Sequence, residues 1–308
     1  MFRTLFLAWG RSETAKKFFA SCPVTKRVVH RFVGGTTWEE ARGAISDLLD
    51  KGIKVTVDFL GGPTRTAVQV DQAVAQYLTI LDQIGEAGWA DEVELSIRPS
   101  TLGIALHDGE ELAIANATTI AAKAQQIGTT IIIGTEAPAT TARTLNLVHT
   151  LREQYPDVAC LLPANFKRTE NDCRTLTSPG SRVGLVKGSY KTPAAALYTD
   201  RHDVDLSYIR CLKILMEGDG LPLVATHDPI LIEITQELAA HNNRSLKDFE
   251  FQMLYGIRTI EQERLTDLGY SVRVRVPFGQ EWYSHIIRRL TRNPSGFRVF
   301  LRAALGLR

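Results

Sequence analysis

Cysteine is scarce in this chain and scattered. Cys22, Cys160, Cys173 and Cys211 make no CxxC pair and no metal-ligand spacing, which argues against a disulfide framework or a structural zinc and for a reduced, cytoplasmic setting. No apolar run reaches bilayer-spanning length. The opening MFRTLFLAWGRS has too short an apolar core for a signal peptide and no small-residue cleavage site, so it reads as the start of an amphipathic helix. Charge of one sign is missing too: 36 Lys and Arg against 34 Asp and Glu leave a net +2, which gives no case for a nucleic-acid partner. A glycine-rich dinucleotide fingerprint, a solenoid repeat, a linker and low-complexity segments are also absent.

What is present is an ordinary globular composition, 44% hydrophobic and 23% charged over 308 residues, ample for one large domain. After a helical preamble ending near Leu49, one rhythm repeats: a short β-rich run, a punctuating Gly, Pro or polar residue, then a helical stretch. The runs cover 53–59, 93–99, 129–135, 158–164, 182–188, 222–228, 249–256 and 271–277. Helical segments such as TAVQVDQAVAQYLTILDQIGEA and PILIEITQELAAH lie between them. This order predicts an α/β fold, a closed (β/α)₈ TIM-like barrel over 51–292, with an open doubly wound sheet as the alternative that eight such units and the missing glycine fingerprint disfavour. N-terminal helices over 1–50 and a C-terminal tail helix over 293–308 complete a single domain spanning 1–308.

Barrel chemistry sits where strands end. The run ends carry Asp58, Arg98, Glu136, Asn165, Lys187, Thr226 with His227, Tyr255 and Arg275. Burying so many charges unpaired is costly, so a pocket is expected there. In LVKG, Lys187 and the flexible Gly188 suit close approach to a phosphate or a flavin ring, or else form a salt-bridged lysine beside a turn. In ATHD, with Pro229 following, Asp228 suits a helix N-cap, and the helix start offers N–H groups to an anion. FEFQMLYG alternates so that Glu250 and Gln252 are expected to point inward, the alternative being a strand exposed on one face. The helical stretch after VRVRVPFG carries adjacent arginines, Arg288 and Arg289. Helix neighbours point about 100° apart, so the two converge on one anion only if the helix crosses a pocket mouth; the alternative is two solvated surface arginines.

The order and spacing of LVKG-x-Y, ATHD, EFQMLYG and VPFG-x-x-WY-x-x-x-x-RRL resemble the proline dehydrogenases, flavoenzymes on a distorted (β/α)₈ barrel that oxidise proline to pyrroline-5-carboxylate. VTVDFLGG, LSIRPSTLG and FKRTENDC fit the same pattern, so the resemblance runs through nearly the whole chain. It implies that Arg288 and Arg289 hold the substrate carboxylate and that Leu254 belongs to the apolar wall near the substrate ring. It also implies that Val186, Lys187, Gly188, Thr226 and His227 contact FAD. Hydride would pass to the flavin, and electrons onward to a quinone or another acceptor.

Departures from the family pattern cluster in the site. Arg98 stands for a lysine, Gly134 for an aspartate, Pro163 for a glutamine and Asn165 for a tyrosine. Gly184 replaces an arginine that faces the flavin, while Arg182 lies a full pleat repeat away. Arg275 and His285 replace tyrosines, and Arg292 a glutamate. The added arginines make the mouth more cationic, which suits a substrate with a second carboxylate or a phosphate. The expected function is therefore FAD-dependent oxidation of proline or a related amino-acid carboxylate with shifted specificity. Two alternatives stand beside it. One is a flavin-free relative doing non-redox chemistry with His227, His285 or Glu136 as proton carrier; the other is a non-catalytic ligand binder. The tail GFRVFLRAALGLR, with Arg298, Arg302 and Arg308 at near-helical spacing, reads as packing across a barrel end, with contact to an anionic membrane as the alternative.

Overall fold

The computed structural model describes residues 31–284 and 286, apart from 63, 191 and 192. Parallel strands close on themselves in sequence order: β1 (Lys54–Phe59), β2 (Val93–Ile97), β3 (Ile131–Gly134), β4 (Ala159–Pro163), β5 (Arg182–Val186), β6 (Leu221–Ala225), β7 (Glu250–Leu254) and β8 (Ser271–Phe278). Closure is made by β1 against β8, with Val55 opposite Val274 and Val57 opposite Val276. All eight expected strand runs are strands. A helix, α1 (Trp38–Leu49), precedes β1, and α2 (Ala67–Glu86), α3 (Gly109–Ile127), α4 (Thr141–Arg152), α5 (Thr169–Leu176), α6 (Arg201–Glu217), α7 (Pro229–His241) and α8 (Thr259–Asp267) follow β1 to β7 in turn. The fold is a (β/α)₈ barrel.

Local chemistry sets the boundaries. Thr66 caps α2 by accepting from the Gln69 N–H, and Asp228 caps α7 through the Ile230 N–H, with Pro229 in the first turn. Gly128 ends α3 with φ of 86°, the left-handed conformation that glycine adopts most cheaply.

Strand alternation divides the side chains into two sets. Val55, Val57, Leu95, Ile97, Val274 and their like point outward and pack under the helices in one continuous core. Inside the barrel the walls differ. Ile132, Ala159 and Leu223, with Leu161 and Leu221, form a separate apolar cluster on β3, β4 and β6. Thr56, Asp58, Glu94, Ser96, Glu250, Gln252 and Arg273 are buried polar residues on β1, β2, β7 and β8.

Candidate active site

At the carboxyl rim, the polar residues expected from the sequence stand together but not as a bare pocket lining. Asp58 at the end of β1 accepts from Arg98 Nη2 at 3.0 Å, and its other oxygen lies 3.7 Å from Arg275 Nη1. That same Nη1 donates to Ser96 Oγ at 3.2 Å. Asp58 keeps the Arg98 guanidinium firmly charged, overcoming the opposing effect of burial. Lys187 sits between Asp205 at 2.5 Å and Asp228 at 2.9 Å. Burial would raise the Asp228 pKa, but the Lys187 ammonium and the Ile230 N–H hold it below the usual carboxylate range. Glu136 accepts from both the backbone N–H and the hydroxyl of Ser100, each at 2.7 Å. Most of these charges are paired with one another, which offsets the cost of burying them. Asp205 and Ser96 escaped sequence reasoning, although Ser96 shares the inward face with Glu94 and Arg98 by its spacing of two.

The ends of β6 and β7 are tied together. His227 Nε2 accepts from the Leu254 N–H at 2.9 Å, so that nitrogen carries no proton. Arg258, held at a left-handed φ of 52°, donates to the His227 carbonyl at 2.7 Å. Thr226 is buried, and its hydroxyl oxygen accepts from the Asp228 N–H at 3.1 Å. These bonds commit His227 Nε2 and both oxygens of Glu136 to structure, which weighs against either as proton carrier.

At the turn after β5, Gly188 takes a φ of +79°, and a side chain there would overlap Asn165 Oδ1. Asn165 is buried; its amide nitrogen donates to the Tyr190 carbonyl at 2.9 Å, while Oδ1 has no hydrogen-bond partner. Gly184 faces the barrel axis, where an added Cβ would lie 2.6 Å from Leu161 Cδ1. An arginine there would need Leu161 to move. Arg182, on the same face of β5, points to the opposite end of the barrel, where it donates to Glu94 at 2.6 Å.

At that opposite end the described residues line a cavity. About 320 Å³ opens at the N-terminal mouth, lined among others by Lys54, Glu94, Arg182, Glu250, Ser271 and Arg273. Its charges are also paired: Arg273 Nε donates to Glu250 at 2.8 Å, and Arg273 Nη1 donates to the Val55 and Glu92 carbonyls. Burial pushes Glu94 upward, but Arg273, Arg182 and the Thr56 hydroxyl outweigh it and bring its pKa down to about 2. In a barrel of this type, the N-terminal face serves stability.

Arg288, Arg289, His285, Arg292 and the basic tail lie outside the described residues. Among the described residues no cluster of potential metal ligands occurs, and no helix is long and apolar enough to cross a membrane.

The proline dehydrogenase family model matches residues 41–297, and proline dehydrogenase 1 of Bacillus subtilis strain 168 is 30% identical over 305 residues, 99% of each chain. The chain belongs to the proline dehydrogenase family. It is accordingly an oxidoreductase. The proline dehydrogenase of Deinococcus radiodurans is 31% identical over 270 residues, 87% of this chain and 86% of its own. Among solved structures, proline utilization A from Bdellovibrio bacteriovorus inactivated by N-propargylglycine superposes with a TM-score of 0.81 at 20% identity, a likeness of fold. It covers 89% of this chain, which spans about a third (34%) of that longer protein.

Proline dehydrogenases are flavin enzymes, and the rim residues present here fit such a group at its polar edge. Asn165 Oδ1 is a buried acceptor without a hydrogen-bond partner beside Gly188, and such a group calls for an explanation. Gly188 brings bare backbone to the same place, and Thr226 and His227 stand on the neighbouring strand end.

Proposed function

We propose that this proline dehydrogenase family member carries out FAD-dependent oxidation of proline or a closely related cyclic amino-acid carboxylate. The observation that carries the reading is similarity to proline dehydrogenase 1 across the full chain, supported by rim chemistry that offers an unmet acceptor beside a bare glycine turn. FAD, when bound, supplies the two-electron acceptor for the substrate C–N bond. Val186, Lys187, Gly188, Thr226 and His227 hold it, with Lys187 steadied by Asp205 and Asp228. Leu254, fixed through its N–H by His227, forms an apolar wall for the substrate ring. Arg98 and Arg275 lend positive potential to the mouth, and Arg288 with Arg289 receive the substrate carboxylate. The chain works as one barrel domain.

A second reading, flavin-free chemistry on an anion, draws on one observation: Gly184 and Leu161 make an apolar patch where the family resemblance calls for a cation. Colour and turnover separate the two. Purified protein that shows flavin absorbance, or gains it with added FAD, and oxidises L-proline with an artificial dye acceptor bears the first reading out. Colourless protein that takes up no FAD and gives no turnover overturns it.

A further inference from the structure

Arg273 and Arg275 are two residues apart on one strand and face the same interior, yet they are provided for differently. Arg273 is 5% exposed and finds Glu250 and two backbone carbonyls as acceptors. Arg275 donates to Ser96 Oγ at 3.2 Å and lies 3.7 Å from Oδ2 of Asp58, a carboxylate whose Oδ1 serves Arg98. Its Nη2 is shut off from solvent and has no acceptor at all. Arg98 is little richer, since beyond Asp58 it reaches the Gly61 carbonyl only at 3.5 Å. Glu136 adds to the field at Arg98, but both its oxygens are taken by Ser100. A charged donor closed off from water without an acceptor is costly, and such a group calls for an explanation, an ion or ligand that would accept from it among them.

We propose that Arg275, braced by Ser96 and Asp58 and flanked by Arg98, binds a second carboxylate carried on the substrate ring. The substrate class is then a cyclic amino acid with an additional ring carboxylate, and proline is the poorer ligand. This rests on the proposed oxidation of a cyclic amino acid at the same rim. A carboxylate is the anion that fits: the Arg275 guanidinium keeps one nitrogen without an acceptor, and its planar fork is the complement of two planar oxygens, while Asp58 and Glu136 offset the charges of Arg98 and Arg275, so that fork geometry and not net charge selects the ligand.

The test uses the FAD-loaded protein and calorimetric Kd values for L-proline and for the cis and trans isomers of L-pyrrolidine-2,4-dicarboxylate. The better dicarboxylate is expected to bind at least about tenfold more tightly than proline, the effect of one charge-assisted contact. In Arg275→Gln that ratio falls to about one, whichever way the absolute affinities move. In Arg275→Lys, which keeps charge but loses the fork, it falls to an intermediate value. Circular dichroism checks that each variant folds, and if the glutamine variant does not, the lysine variant carries the test alone. Equal affinities in the wild type, no binding of either ligand, or a ratio unchanged in the variants overturns the proposal. Dye-linked turnover is read separately. Selective dicarboxylate binding with oxidation of neither ligand overturns the oxidation reading and upholds the second-carboxylate site.

Discussion

Glu94 shows how much one buried carboxylate on the barrel floor is asked to do. It accepts from Thr56 Oγ1 at 2.7 Å and from Arg182 at 2.6 Å, with Arg273 3.7 Å away. Removing one partner from such a set leaves an uncompensated buried charge, a loss on the order of 3–5 kcal/mol. The pH dependence has a definite sign. A folded pKa of about 2 against an ordinary 4.5 means that the unfolded chain binds the proton more tightly. The contribution, on the order of 3 kcal/mol, is complete above about pH 4.5 and disappears as pH falls towards 2. Glu94→Gln should therefore lower stability most at pH 6, and its deficit should shrink by about 2 kcal/mol by pH 3. Urea denaturation of both proteins at pH 6, 5, 4 and 3 measures the gap; a constant gap means that Glu94 does not fold as a paired carboxylate. The sequence pointed to Glu250 and Gln252 as inward-facing, because period-two alternation is visible within a strand. The pairing of Glu94 with Arg182 was out of reach, since it joins β2 to β5 across the barrel axis and only closure brings the two together.

Among the elements, the strands and the long helices are legible from period and punctuation, down to α7, whose Asp228-Pro229 start and His241 end follow directly from PILIEITQELAAH after ATHD. The fastenings between elements are not. Arg244, in the loop after α7, donates to the carbonyls of Leu215, Met216, Gly218, Gly220 and Asp248. It thereby satisfies the orphan acceptors at the end of α6 and in its turn towards β6. Arg152, at the end of α4, does the same for Val158, Leu176 and Arg182. In sequence both look like surface cations, because backbone carbonyls leave no residue signature. Arg244→Met keeps much of the aliphatic stem and removes every donor. It should cost about 2–4 kcal/mol, as several part-buried carbonyls lose a charged partner together. Amide exchange should accelerate most at residues 214–222. A loss below about 0.5 kcal/mol with unchanged exchange there would show that water replaces the guanidinium without penalty.

For the whole molecule, the asymmetry of the interior is what organises function. The apolar wall of Ile132, Ala159, Leu161 and Leu223 faces a polar wall that runs from Glu250 round to Ser96. Motif order was enough to recognise the family, because LVKG, ATHD and EFQMLYG sit at strand ends that the barrel brings to one rim. It could not tell which rim charges were already spent on each other, as Lys187 is on Asp205 and Asp228. Partial pre-pairing bears on cofactor affinity: a lysine that already has two carboxylates gains less from a phosphate than a free one does. On the proposed reading, backbone at Gly188, the Asn165 acceptor and the Thr226–His227 turn would then carry more of the FAD interaction. If they do, FAD at a hundredfold excess over its Kd stabilises the folded chain by about 2.7 kcal/mol. For a chain of 308 residues that is a rise in Tm of about 4 °C. Replacing Asn165 with Asp tests the same balance. The substitution removes the amide donor to the Tyr190 carbonyl and buries a carboxylate, so the flavin-free protein should itself melt lower, and the FAD-dependent part of the shift should shrink as well where Asn165 contributes to cofactor binding. Thermal melts of both proteins with and without added FAD measure this directly. A wild-type melt that FAD leaves unmoved means that the rim is built for a different occupant.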